Sequence, residues 1–330
     1  MKRRTLISAA ATSLLAAPLA TPLASWAQGA VRTVGFLSSL SPVESAHLTD
    51  AFRKGLAEAG FVEGKNIAIE FRWAEGNYDR LPALASELVN KPVAVLATAG
   101  GTTSALAGKA ATTTIPVVVL SGGDFVKLGL VASLNRPGAN VTGVSQFAVV
   151  LAAKRLEVLR ELKPGISNVA FLVNPKSPNA EPEIAMVQQA CIAIGCKVNP
   201  IKASTAEEID TAFKALTSLR NGALMVLADP FMDGRREQII AHARRLAIPG
   251  VYGAREYVVA GGLLSYGVNF ADTYRQSGVY VGRILKGDKP ADLPVMQPTR
   301  FDVALNLTTA KALGLKVPQS VLLRVTETIE

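Results

Sequence analysis

Small polar residues recur at one kind of place in this chain, directly after short apolar runs. Ser38 and Ser39 follow Val34–Leu37, Thr98 with Gly100 and Thr102 follows Val93–Ala97, and Asp124 follows Ile115–Leu120. In the second half Asn174, Ser177 and Asn179 follow Val169–Val173. Asp229 follows Ala223–Ala228, and Tyr252 with Glu256 follows the run that starts at Gly250. Taken singly, each is an ordinary turn or cap residue. Taken together they mark the carboxyl ends of strands, where open α/β sheets bind ligands and helix N-termini turn free N–H groups outward. Ser39, Thr98 and Thr102 beside such N–H groups suit a carboxylate, and Asp124 or Asp229 suits an ammonium. The pattern predicts a cleft for something small with hydrogen-bonding ends.

Other chemistry lacks its residues. No G-x-G-x-x-G follows a strand, and no phosphate loop, G-x-S-x-G elbow, H-E-x-x-H pair or C-x-x-C occurs. His47 and His242 stand apart from any nucleophile or metal-ligand spacing and read as solvated-face residues. No catalytic residue, cofactor or metal is expected. Cys191 lies on an apolar stripe with Ile184, Val187 and Ile194, and Cys196 opens the next strand after Gly195. Two buried thiols are favoured there over a disulfide.

The elements that must position these residues alternate. At roughly 150 residues per domain, 330 residues predict two domains, and 49% apolar content gives each a core. Strands at Val34–Leu37, Ile67–Phe71, Val93–Ala97 and Ile115–Leu120 alternate with helices. One of these helices opens at Gly100-Gly101-Thr102-Thr103. A strand-like run at Val141–Ser145 and a helix over 148–163 follow, and the alternation then restarts through Val169–Val173 and Ala223–Ala228, with a helix over 233–247. Such β/α series predict parallel sheets covered on both faces. A strand at Gly262–Tyr266, a helix over 271–286 and a Pro-rich connection to Phe301–Leu305 imply a chain that crosses between the halves more than once.

Residues 1–27 read as an export signal, with Lys2-Arg3-Arg4, an acid-free Leu6–Leu23 core and a Ser25-Trp26-Ala27 cleavage site. Sec and twin-arginine routes both fit Arg3-Arg4-Thr5-Leu6-Ile7. Without those three cations the net charge falls from +9 to +6, spread without a basic run, so no nucleic-acid partner is expected.

The blocks Thr98–Gln146, Asn174-Pro175, Asp229-Pro230-Phe231, Gly261–Gly267, Tyr280–Leu285, Lys286–Val295 and Asn306–Leu315 cover much of the chain. With them the chain resembles the type I periplasmic solute-binding proteins of ABC importers, nearest the branch labelled tryptophan/tyrosine transport substrate-binding proteins. The resemblance implies an α/β protein of two doubly wound parallel-sheet lobes joined by a multi-strand hinge. The expected division is 31–145 plus 267–297 for one lobe and 146–266 plus 298–330 for the other. It further implies a monomeric periplasmic receptor that takes a small organic solute, best an aromatic amino acid or aromatic acid, to an inner-membrane ABC permease. A ligand sensor for a membrane receptor and, further off, a secreted α/β enzyme are the alternatives. One departure is Phe125, which replaces a proline common in such proteins and is expected to put a bulky ring close to the cleft.

Overall fold

A computed structural model of the chain describes residues 31–218 and 222–330. The expected export signal at 1–27 lies outside the described residues. The first sheet is built from β1 (Arg32–Ser38), α1 (Ala46–Glu58), β2 (Ile67–Trp73), α2 (Leu81–Val89), β3 (Val93–Ala99), α3 (Thr102–Ala111), β4 (Val117–Ser121) and β5 (Val141–Ser145). Its strands run parallel in the order β2-β1-β3-β4-β5. The chain then builds α4 (Ala148–Leu162), β6 (Asn168–Val173), α5 (Ala180–Ile194), β7 (Lys197–Lys202), α6 (Ala206–Ala215) and β8 (Gly222–Val226). It goes on through α7 (Pro230–Gly234), α8 (Arg236–Arg245), β9 (Gly250–Tyr252), α9 (Arg255–Val259) and β10 (Leu264–Gly267). Next come α10 (Phe270–Leu285), β11 (Asp302–Asn306), α11 (Leu307–Ala312), α12 (Gln319–Leu322) and β12 (Glu327–Ile329). The second sheet has the order β12-β11-β10-β9-β8-β6-β7, parallel except between β10 and β11.

Period-2 alternation sorts the strand side chains to two faces. Val34 and Phe36 meet Phe52, Tyr274 and Val281, while Leu37 faces Leu81 and Leu88. In the second sheet Val169, Phe171 and Val173 pack with Leu156 and Val187, and Ala170 and Leu172 pack with Ile209 and Phe213. The helix α10 belongs in space to the first sheet, although it follows a strand of the second. Tyr274, Val281 and Leu285 join the core of Val34 and Phe36. Gly55 of α1 and Gly278 of α10 let the two backbones touch. A Cβ at Gly278 would collide with the Phe52 carbonyl oxygen, and one at Gly55 with that of Arg275. The segment after α10 is pinned to β5 by Met296 N–H to Gly143 O (2.9 Å) and Ser145 N–H to Met296 O (2.8 Å).

The chain therefore passes between the two sheets near 146, near 268 and near 299. Phe147, at the first passage, holds a left-handed φ of 50°, a conformation costing a non-glycine residue of the order of 1 kcal/mol.

Three expectations are corrected. The helix expected over 233–247 starts at Pro230, behind an Asp229 cap, and breaks at Arg235. His242 is not a solvated-face residue: its side chain is 17% exposed, bonds Asp210 at 2.7 Å and stacks on Phe213. Cys191 and Cys196 form a disulfide. Gly195 ends α5 in the left-handed region (φ 75°), and the Cys196 N–H then turns back to the Cys191 carbonyl at 2.9 Å. That turn leaves the two Cα atoms 4.7 Å apart, within bridging range. Closing so short a loop removes about 2 kcal/mol of unfolded-state entropy by the chain-entropy relation. A Cys191→Ala/Cys196→Ala variant is expected to melt a few degrees below the parent by calorimetry, with α5 otherwise intact by circular dichroism.

Candidate functional site

The carboxyl ends of the two sheets face each other across a cavity lined by residues of both lobes, the usual place for a ligand in open α/β sheets. One wall is apolar and aromatic: Leu40, Leu48, Phe270 and Tyr274. Donors come from the start of α3. Gly100 (φ 72°) and Gly101 (φ 95°) make a turn that other residues rarely adopt, and a Cβ on Gly101 would meet the Pro230 ring at 3.1 Å. No side chain caps α3, so its first N–H groups stay available to an anion in the cavity. The turn is held by the Ser39 hydroxyl, which donates to the Gly100 carbonyl, and by the Tyr274 hydroxyl, which accepts from the Gly100 N–H at 3.1 Å.

The second lobe brings the charges. Arg155 projects from α4 to line the cavity although it is only 2% exposed. Its Nε donates to Tyr266 O (3.0 Å) and Nη1 to Ala148 O (3.3 Å), and Nη1 lies 3.6 Å from Glu183. Nη2 stands beside Gly253, where a Cβ would meet it at 3.3 Å. Burial lowers the Arg155 guanidinium from its usual value, opposed by Glu183 and Asp233, and it stays charged. Glu183 is fully buried, with neither oxygen hydrogen-bonded. Burial pushes its carboxyl up to about 8, against the pull of Arg155, and Asp229 adds to the rise.

Asp229 caps α7 and ties the lobes together. It accepts from Phe231 N–H (3.1 Å), Asn174 Nδ2 (3.0 Å) and, across the cleft, the Tyr78 hydroxyl (2.9 Å). Burial raises its carboxyl, and the bonds from Asn174, Tyr78 and Ser177 oppose the rise. Asp233, one helical turn on, is half-buried and lines the cavity. Burial first, then the charges of Asp229 and Glu256, push it up to about 8. Further bonds across the cleft run from Thr102 Oγ1 to Asn179 Oδ1 (3.2 Å) and from Lys176 Nζ to Asp79 (2.7 Å). The two lobes are closed on one another.

A chamber of this kind, with helix ends and charges aimed inward from two lobes, is built to hold a solute. The sequence profile described as "ABC transporter substrate binding protein" matches residues 40–329. The chain belongs to that family. A tyrosine-binding protein of Clostridioides difficile is 26% identical over 265 residues, 80% of this chain and 76% of that protein. The crystal structure of a conserved domain protein from Vibrio cholerae superposes with a TM-score of 0.84 at 27% identity, over 91% of this chain and 100% of that one. An ABC domain from Streptococcus pneumoniae in complex with L-Trp shares the fold, with a TM-score of 0.82 at 24% identity over 91% of this chain and 100% of that one. The fold is that of type I periplasmic binding proteins.

In this substrate-binding protein, Gly100, Thr102, Ser177, Asn179 and Asp229 line the cavity together. Ser39 stands one bond behind, on Gly100, and Asn174 one bond behind, on Asp229. The remaining residues singled out in the sequence lie elsewhere. Ser38 accepts from Leu40 N–H in its own turn. Thr98 is sealed beneath α3, with its hydroxyl unpartnered and its methyl pressed against Gly108. Asp124 is exposed and caps its turn through Val126 N–H and Lys127 N–H, so it does not face Asp229. Tyr252 is buried and stacks on Tyr257 at 4.6 Å, and Glu256 sits outside the cavity, 3.7 Å from His47. Phe125 turns into the core rather than toward the cleft, because its turn tucks the ring among Leu130 and Val131.

Arg155, Asp233, Phe270 and Tyr274 were not singled out as site residues. Arg155 carried a readable sign. It falls four residues after Leu151 and four before Leu159, on the buried stripe of α4, where an unpaired charge is costly.

Proposed function

We propose that this substrate-binding protein captures an aromatic solute bearing a carboxylate, an aromatic amino acid or aromatic acid, and presents it to an inner-membrane ABC permease. It works in the periplasm as a monomer, after loss of residues 1–27, and leaves the solute chemically unchanged. The lobes are 31–145 plus 267–297 and 146–266 plus 298–330, and they swing about the three passages between the sheets. The observation that carries this reading is the division of the closed cavity. Aromatic Phe270 and Tyr274 line one side, and the uncapped start of α3 with Arg155 forms a donor end. A flat ring and an acid fit these two faces at once, and only contacts to both lobes shift the open–closed equilibrium toward closure. The tyrosine-binding relative and the L-Trp complex agree with it.

Titration calorimetry with L-tryptophan, L-tyrosine and benzoate, beside L-leucine and ribose, tests the reading. Saturable binding of an aromatic member, far tighter than leucine or ribose, is the expected result. Binding of ribose alone would remove it.

A further inference from the structure

Behind the cavity wall, Glu183 of α5 is completely buried, and neither of its oxygens meets a well-formed hydrogen-bond donor among the described residues. An ionised acid in that position is costly unless a cation or donors replace the water it has lost. Among the described residues, the cation within ion-pair distance of it is Arg155, at 3.6 Å. Arg155 does not depend on Glu183 for its place. Its Nε and Nη1 are fixed by two main-chain carbonyls, Tyr266 O at 3.0 Å and Ala148 O at 3.3 Å. Its Nη2 lies beside Gly253, and both residues line the cavity. The guanidinium therefore stands between two anions, the Glu183 carboxylate behind it and a solute carboxylate in front. One buried cation cannot neutralise both, and the anion left over would be unpaired in a site without water.

We propose that Glu183 competes with the solute for Arg155, so that a carboxylate solute is captured by the form of the protein in which Glu183 is neutral. This rests on the reading given above that the solute bears a carboxylate, and it does not depend on the solute's ring. The charged or titratable groups that face Glu183 are Arg155 from α4, Asp229 from the cap of α7 and Asp233 from within that helix. Burial is the largest influence, and with repulsion from the two aspartates it outweighs the attraction of Arg155. The empty-site carboxyl thus keeps its proton up to about 8. A solute anion seated on Arg155 raises that carboxyl further. Above that pH, capture draws a proton from solvent onto Glu183, and affinity falls as pH rises. Well below it the proton is already in place, and affinity is flat. Linkage to one such proton makes affinity about tenfold weaker at pH 9 than at pH 6, with nearly one proton taken up per solute at pH 9.

The test is calorimetry with indole-3-propionate, L-tryptophan and L-leucine, run from pH 6 to pH 9 in buffers of different ionisation enthalpy on the parent and Glu183→Gln. The difference between the two proteins is the reading, because ionisation of Asp233 and of a solute amine is common to both. With whichever of these acids binds, the parent should take up nearly one more proton at pH 9 than Glu183→Gln does. Its loss of affinity between pH 6 and pH 9 should exceed that of the variant by about tenfold. Equal proton uptake and parallel pH profiles in the two proteins overturn the proposal and leave the carboxylate reading standing. The same difference seen with L-leucine alone would keep Glu183 and remove the aromatic reading. Failure of all three acids to bind overturns the proposal together with the carboxylate reading. A second readout needs no variant. Infrared difference spectra of the parent, isotope-labelled at its glutamate carboxyls, should show one carboxylate band replaced by a protonated carboxyl when solute is added at pH 9. Saturation without that change overturns the proposal.

Discussion

Arg155→Met is expected to abolish capture of a carboxylate solute, raising Kd by several hundred- to several thousand-fold. The guanidinium is the enclosed cation of the chamber, and truncating one side of a buried charge pair costs about 3–5 kcal/mol. The empty protein should lose less. Removing Arg155 strips Tyr266 O and Ala148 O of their donor, worth about 1–3 kcal/mol. Glu183, left alone, is spared as a naked charge because burial already holds its carboxyl up at about 8. That value has a pH signature. In the folded protein Glu183 keeps a proton that the unfolded chain gives up near 4.5, so its contribution to stability is greatest at the acid end of that window. It is lost as pH rises toward 8, and without Arg155 the loss should extend to higher pH. Calorimetric titration with L-tryptophan beside thermal melts at pH 5, 7 and 9 reads both effects. Undiminished binding in Arg155→Met would place the carboxylate elsewhere.

Gly278→Ala should be among the most damaging single methyl additions in the molecule. The added carbon would land on the Phe52 carbonyl oxygen and lie 2.8 Å from the Leu56 N–H. Both are backbone atoms, which have no rotamer to escape by. Overpacking a core typically costs about 1–3 kcal/mol, and a backbone collision belongs at or beyond the top of that range. Its effect should reach the cavity, because α10 also carries Phe270 and Tyr274. A denaturant melt and an L-tryptophan titration on Gly278→Ala should show both stability and affinity reduced. Gly287→Ala, where a Cβ meets nothing, should leave affinity unchanged, with only the strain of its left-handed φ to bear.

The alternation of apolar runs and amphipathic helices made the parallel sheets legible, because period and turn chemistry are local properties. The sites at strand ends were legible in position but not in direction. Asp124 and Asp229 both follow a strand, yet one bends outward to cap its turn and the other is roofed by Tyr78 from the opposite lobe. No spacing within either segment distinguishes them, since the difference is made by a residue 151 positions away. Tyr252 ends β9, and its ring folds back over Gly250 to meet Tyr257. Asp233 was missed because the helix holding it was read as starting at 233, which put it on an outer cap rather than one turn inside. The disulfide was missed because apolar surroundings suit a thiol and a half-cystine equally, and the Gly195 turn decides between them.

The lodging of α10 on the first sheet has a consequence for how the protein is born. The ribosome delivers the chain from its amino end, so β1 to β5 arrive long before residues 270–296. Until then the face formed by Val34, Phe36 and Val118 lacks Tyr274, Val281 and Leu285, and β5 lacks its partner at Met296. The nascent first sheet must wait, with that face uncovered, while β6 to β10 of the second pass by. An amino-terminal fragment ending before 270 is thus no independent domain but a sticky intermediate, the kind of species that chaperones exist to shield.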